Sequence, residues 1–217
     1  KIKEVRDANP SLRRVYVYTS HNRKDDVNLQ ISDYLGDSSI YLIAVQSFDP
    51  LVQKNIKRAN MKDEDIPKIL KRVKSIGVDT SVDIIMGLPE ETRQSHLNTL
   101  RKCFELGFDF IDVLNIRMLP GSVLETDEQR QKYNIKTKYR LIQGSYGVYR
   151  GIKCIDAEEC IRNNSTMTED DMLYFRLVHW LIWFGWNARF LSPIMKYLAF
   201  KGRNTIDLIT KIIDSDK

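Results

Sequence analysis

Apolar residues recur along the first 120 positions in two alternating rhythms. Short runs rich in β-branched and aromatic residues, at 15–19, 40–45, 82–86 and 110–117, read as strands. Between them lie helical periods. Ile66, Ile69, Leu70 and Val73 fall at i, i+3, i+4 and i+7, with negative charge at 63–65 ahead of them, and Leu97, Leu100 and Phe104 make a second stripe. Three times a helical stretch ends at a glycine shortly followed by an aspartate and a new strand: Leu35-Gly36-Asp37, Ile76-Gly77-Val78-Asp79 and Leu106-Gly107-Phe108-Asp109. Glycine just past a helix takes the left-handed conformation without a Cβ penalty, so each copy marks a helix end feeding a strand.

Strands alternating with helices imply parallel strands joined by right-handed crossovers, which makes the fold class α/β. Four such units form either a small open sheet or an arc of a (β/α) barrel, and an arc leaves edges that something must cover. After Pro120-Gly121-Ser122 the alternation stops. A polar stretch carries Tyr133, Tyr139, Tyr146 and Tyr149 with no clear period, and Thr168-Glu169-Asp170-Asp171 then reads as a cap opening a long helix. Pro193 is expected to end or kink that helix, and Ile206, Ile209 and Ile213 mark a short terminal one. The expected organisation is therefore a parallel-stranded partial barrel over 1–125 and a mixed loop and helical extension over 126–217 that stands as a separate layer.

Composition narrows the class. With 217 residues, 42% hydrophobic and 29% charged, the chain has apolar material for one sizeable core. Its net charge of +5 is spread among interspersed signs, the pattern of a solvated surface; the basic stretch at 54–74 is the one segment that would suit nucleic acid. Cys103, Cys154 and Cys160 are odd in number and without repeated spacing, which argues against a disulfide framework or a zinc knuckle and fits a reducing cytoplasm. The longest apolar run, Trp180 to Trp186, falls short of the roughly 20 residues a membrane span requires, so it is expected to be a buried helix or a subunit contact in a homo-oligomer. The first residue is Lys1 and no leader precedes it, so the start reads as an artificial or processing boundary with an upstream portion missing.

In parallel α/β folds, ligands sit at the C-terminal ends of the strands. Asp83 is the sharpest oddity there, a carboxylate within an apolar strand that must find hydrogen bonds or bear a desolvation penalty. Alternation puts Val82, Ile84 and Met86 on one face and Asp83, Ile85 and Gly87 on the other. Asp83 is then either a binder of a sugar diol or a structural carboxylate tied to a basic neighbour. Gln46 at one strand end and Arg58 beyond it could converge on an amino-acid carboxylate, although Lys54, Lys57 and Lys62 make Arg58 equally readable as a surface residue. Gly87-Leu88-Pro89 and Pro120-Gly121 are turn formers whose glycines either bend the chain or let a flat ring approach it. His21, His96 and His179 lack metal-ligand spacing and Ser47 lies in no nucleophile motif, so all four read as structural.

Together these segments resemble the radical S-adenosylmethionine (radical SAM) superfamily, chiefly its oxygen-independent coproporphyrinogen III oxidases and its cobalamin-binding members. The resemblance rests on Val45-Gln46-Ser47-Phe48-Asp49-Pro50 with Arg58, on Asp83-Ile-Ile-Met-Gly-Leu-Pro89 followed by Glu90-Glu91-Thr92, and on Leu119-Pro120-Gly121-Ser122, where Ser replaces the family's Thr. It implies S-adenosylmethionine bound with Gln46 and Arg58 at the methionine moiety, Asp83 at the ribose, and backbone around Gly87 and Met118 at the adenine, with Ser47 also among the cofactor-binding residues. The family's Cys-x3-Cys-x2-Cys motif, which holds a [4Fe-4S] cluster, is absent. In the family it follows the first strand, so the chain is expected to be the later part of a barrel. Its parent enzyme would carry the cluster, leave cobalamin open, and act on a small molecule or transfer RNA, while the fragment alone would be inactive. The alternative is a non-catalytic nucleotide- or protein-binding module on a degenerate barrel.

Overall fold

A computed structural model describes residues 1–9, 11, 17–21, 26–58 and 60–215, with backbone alone at 2, 17–21 and 26. In chain order the elements are α1 (Ile2–Ala8), β1 (Val17–His21), α2 (Asp26–Leu35), β2 (Ser39–Gln46), α3 (Pro50–Asn55), α4 (Ile66–Ser75), β3 (Asp79–Met86), α5 (Arg93–Leu106), β4 (Phe110–Asn115) and β5 (Arg117–Met118). There follow α6 (Asp127–Lys132), β6 (Lys136–Tyr149), β7 (Ile152–Asn163), α7 (Glu169–Leu181), a π-helical turn (Ile182–Asn187), α8 (Ser192–Phe200) and α9 (Thr205–Asp214). The predicted strand at 15–19 lies partly outside the described residues.

Strands β1 to β4 form one parallel sheet in sequence order, the α/β arc the alternation predicts. One face is buried through Tyr41, Ile43 and Val45 of β2, Val82, Ile84 and Met86 of β3, and Ile111 of β4. The stripe Ile66, Ile69, Leu70 and Val73 of α4 is buried in the same core, as are Leu100 and Cys103 of α5. Helix α5 closes on Gly107, whose φ of 74° lets the chain turn into β4. The opposite face, with Leu42, Ala44, Asp83, Ile85 and Asp112, is only half-buried.

The edge of β4 is covered by a side chain. Asn187, from the π-helical turn, donates through Nδ2 to the Ile111 carbonyl at 2.9 Å and accepts the Ile111 N–H through Oδ1 at 3.0 Å, giving the strand one amide's worth of a missing neighbour. Beside it Trp186 donates from Nε1 to the Phe108 carbonyl at 3.1 Å. The turn can sit there because Gly185 lets α8 approach: a Cβ at that position would come within 2.6 Å of Met195 Cε.

Four expectations need correction. The strand at 110–117 ends at Asn115; after a last bond from Ile116 N–H to the Met86 carbonyl, β5 leaves the parallel sheet and pairs with β7. The polar stretch is a long antiparallel hairpin of β6 and β7, closed by Arg150 and Gly151 at φ 51° and 81°, the two left-handed residues a tight hairpin turn requires. Its outer half is exposed on both faces, so it shows no one-sided alternation. The long helix stops before Pro193, which instead sits in the first turn of α8. Nor is the tail separate, since Phe175, Val178, Ile182, Met195, Ile206 and Ile209 belong to the same contiguous core as β2 to β4. Of the aromatic run, Trp186 is buried while Trp180 and Trp183 are exposed.

The cap at Thr168 is as expected: its Oγ1 accepts from Asp171 N–H and the Asp171 carboxylate accepts from Thr168 N–H, both at 3.1 Å. Among the described residues no helix is long and apolar enough to cross a membrane.

Replacing Asn187 by Ala leaves the Ile111 N–H and carbonyl without their partner and is expected to destabilise the chain by about 1–3 kcal/mol. Urea unfolding measures this, and an unchanged midpoint would mean that Asn187 does not carry the edge.

Candidate functional site

The end of β2 is where the regular sheet breaks. Pairing with β3 is in step from Ile40 to Ile43 and shifts before Gln46, which sits at φ 66°. A left-handed non-glycine residue costs of order 1–3 kcal/mol and persists only where its surroundings fix it. Here the following segment does so. Carbonyls that leave the ladder are taken up by side chains: Ala44 by Arg58 Nη2, Val45 by Asn60 Nδ2 at 2.8 Å, and Ser47 by Gln53 Nε2 at 2.8 Å. Asp49 caps α3 through Leu51 N–H and Val52 N–H, with Pro50 in the first helical turn.

Arg58 is thus held at the end of the strand that carries Gln46, through its bond to the Ala44 carbonyl. The Gln46 side chain is half-buried and makes no hydrogen bond within the described residues. Arg58 is anchored through Nε to Asn60 Oδ1 at 3.1 Å and through Nη2 to Ala44, which leaves Nη1 free. Burial pushes its pKa down, opposed by the charge of Asp83. Arg58 is therefore not the surface residue its lysine neighbours suggest.

Asp83 projects onto the half-open face beside Asp112, its register partner on β4. The two differ in satisfaction. Asp112 accepts from Ser81 Oγ and from Asn187 Nδ2, each at 3.2 Å. The Asp83 carboxylate accepts no hydrogen bond from, and makes no ion pair with, any described residue. Its pKa is raised by burial and by the like charge of Asp112, with Arg58 pulling the other way. Among the described residues no basic neighbour is tied to it at contact distance.

Ser47 departs from its expected place. Its side chain is fully buried toward α5, with Oγ 3.4 Å from Thr99 Oγ1 and accepting Asp49 N–H at 3.1 Å, so it shapes the turn and does not face the open side. Gly87, at φ 88°, makes the bend, and the direction its Cβ would take is filled: a Cβ there would meet Ile116 Cγ2 at 3.0 Å and Met172 Cε at 3.1 Å. Its N–H donates to Glu91 Oε2 at 2.7 Å and its carbonyl accepts from Asn164 Nδ2 at 3.1 Å. Met118 buries its side chain, and its backbone lies in β5 opposite Glu159.

Sequence reasoning missed the support behind this bend. Glu91 and His96 are both fully buried, with Glu91 Oε1 at 2.9 Å from His96 Nδ1 and His96 Nε2 at 3.0 Å from His179 Nε2. Burial and the neighbouring His96 hold the His179 pKa well below the usual histidine range, so His179 is neutral. The chain of bonds ties the Gly87 turn to α5 and α7. The i, i+5 spacing of Glu91 and His96 across a helix start was the available signal. Gln53 and Asn60, the clamps on β2, carried none beyond the Asp-Pro cap ahead of them.

Among the described residues no group of three or more His, Cys, Asp or Glu side chains could hold a metal ion. Cys103 is buried with its thiol pushed far above the usual range by burial, Cys154 is exposed, and Cys160 is half-buried. The residues present do not fit an iron-sulfur cluster. They do fit a ligand offering hydroxyls and a carboxylate: a carboxylate within β3, and an amide and a guanidinium nitrogen at the end of β2, have no partner among the described residues.

The class so defined is a parallel α/β arc with an open polar face at its strand ends. No family model matches the chain. The chain is 28% identical over 129 residues to the cobalamin-dependent radical SAM methyltransferase TokK of Streptomyces tokunonensis, a segment that is 58% of this chain and 19% of that protein. It is 32% identical over 98 residues to the oxygen-independent coproporphyrinogen III oxidase of Escherichia coli (strain K12), 44% of this chain and 21% of that one. The solved structure of the Escherichia coli coproporphyrinogen III oxidase, described as a radical SAM enzyme, aligns at 28% identity and a TM-score of 0.42 over 49% of this chain and 24% of that one. The chain thus matches about a fifth of the length of these curated relatives. Its similarity is to radical SAM enzymes, cobalamin-dependent ones among them, the superfamily that its motifs resemble.

Asp83→Asn is expected to raise the unfolding midpoint at pH 7. With a pKa raised in the folded state, wild-type Asp83 costs no stability below the usual aspartate value near 3.8 and reduces stability as pH rises through the raised value. The difference between variant and wild type should therefore shrink on acidification, as thermal melts across that range would read. Gln46→Gly is expected to stabilise by about 1 kcal/mol by relieving the left-handed strain; a loss of stability in urea would mean that the Gln46 side chain packs rather than waits for a ligand.

Proposed function

We propose that this chain is the later part of a radical SAM barrel and supplies the cradle for S-adenosylmethionine in a longer parent enzyme. The observation that carries the reading is Asp83: a half-buried carboxylate on an open strand face, with a raised pKa and no hydrogen-bond or ion-pair partner among the described residues, is a group kept for a ligand. A ribose diol donates two hydroxyls and satisfies both of its oxygens. The Gln46 amide and the Arg58 Nη1 are placed to take the amino-acid end, where a fixed guanidinium recognises a carboxylate. Backbone near Met118 borders the adenine. Ser47 and Gly87 act through the turns they hold.

The thiolates for a [4Fe-4S] cluster would come from another part of the parent, since the cysteines described here do not converge. When bound, that cluster supplies the electron that cleaves S-adenosylmethionine; Gln46, Arg58 and Asp83 hold and orient the cofactor. Cobalamin in the parent is supported by the likeness to TokK, and the substrate is either a small molecule or transfer RNA.

Calorimetric titration of the chain with S-adenosylmethionine tests this. Saturable binding is expected, weakened about tenfold by Asp83→Asn and by Gln46→Ala, each removing a charge-assisted or buried hydrogen bond. Anaerobic treatment with iron and sulfide should yield no stable cluster. Binding that is absent, or indifferent to both substitutions, would refute the cradle.

A further inference from the structure

At the C-terminal end of β4 lies a second polar feature. Val113, Leu114 and Asn115 border a cavity of about 200 Å³ that lies between this strand end, α7 and the base of the hairpin. This is below the roughly 300–1,000 Å³ of a drug-sized pocket and suits an ion or a head group. Its walls carry four arginines: Arg117 from β5, Arg140 from β6, Arg162 at the end of β7 and Arg176 from α7.

Their charge is not neutralised. Arg117 and Arg140 share the single carboxylate of Glu158, and Arg162 shares Glu169 with Lys138. Arg176 has no ion-pair partner among the described residues. Five cations thus meet two carboxylates in one region. Asn115, on the cavity wall, is an orphan of the opposite polarity, because its Oδ1 is buried and has no hydrogen-bond partner among the described residues. A buried acceptor left unpaired costs about 1–3 kcal/mol, so a species that satisfies both features must accept from guanidinium groups and donate to an amide oxygen.

We propose that this cavity is a binding site for a phosphate group that keeps a hydroxyl, on the phosphorus or beside it. The arginine forks take the charged oxygens and Asn115 Oδ1 takes the O–H. Sulfate has the same shape but carries no proton near neutral pH, so Asn115 gives the site its selectivity. Gln46, Arg58 and Asp83, the side chains assigned to the S-adenosylmethionine cradle, do not line this cavity.

The test is titration of the chain at low ionic strength with inorganic phosphate and with sodium sulfate, followed by NMR or calorimetry. Phosphate should bind saturably and sulfate about tenfold more weakly, as the loss of one buried hydrogen bond implies. Asn115→Leu should close that gap by weakening phosphate alone. Arg176→Ala, at an exposed helical position where folding is unaffected, should weaken both anions about tenfold. Phosphate should also slow alkylation of Cys160, which lines the cavity, and leave exposed Cys154 unchanged. Absent binding, equal affinity for the two anions in the wild-type chain, or an Arg176→Ala variant of unchanged affinity would each overturn the proposal. Asp83→Asn, at a residue that does not line the cavity, should not alter phosphate affinity; if it does, the anion is occupying the cradle and the proposal fails.

Discussion

A parallel sheet ordinarily has both faces covered, because its crossover helices bury them. In this chain strands β2 to β4 bury one face through Ile43, Val45, Val82, Ile84 and Ile111, and leave the other half-open with Asp83 and Asp112 along it. Every unusual feature follows from that imbalance. An arc has an edge, and Asn187 covers it with an amide. An arc also has strand ends that face solvent, and there the sequence places a bulge and a left-handed glutamine where regular pairing would be cheaper.

The bulge is held from behind. Arg58, Asn60 and Gln53 satisfy the carbonyls that leave the ladder around the bulge, so the strain at Gln46 is stabilised by side chains of the segment that follows it. The same arrangement recurs at β3, where Glu91 takes the Gly87 N–H and passes the constraint through His96 to His179 on α7. Both strand ends are therefore rigid before any ligand arrives, and rigid groups lose less entropy on binding. The C-terminal helices are part of this site's support as well as part of the core.

How much of this was legible depended on whether a residue's pattern or its partner defined it. The strands, the stripes of α4 and α5 and the cap at Thr168 repeat at the periods of their elements, and the sequence shows them directly. Asp83 was visible because a carboxylate among β-branched residues breaks a pattern. The hairpin was not, because a ribbon exposed on both faces has no apolar side to alternate, and its turn uses Arg150-Gly151 in place of the more usual Asn-Gly. Ser47 and Gly87 sit in motif segments whose likeness to a family marks position without saying which way a side chain points or what fills the space above a glycine. Asn187 and the buried histidines depend on partners 76 and 83 positions away, a separation that no local spacing reveals.

The two aspartates on the open face show why satisfaction, rather than burial or charge, separates a binding group from a structural one. Asp83 and Asp112 are register partners of the same chemistry and are exposed to the same side. Asp112 has Ser81 and Asn187, and the hydrogen bond from Asn187 couples it to the edge it helps to close. Among the described residues Asp83 has only the distant charge of Arg58, and the like charge of Asp112 adds to burial in raising its proton affinity. A chain folding for stability alone would replace Asp83 with the apolar residue its strand otherwise uses. Its retention beside a satisfied twin places the cost of the site at one residue, and it is at that residue that a ligand's hydroxyls would return the most.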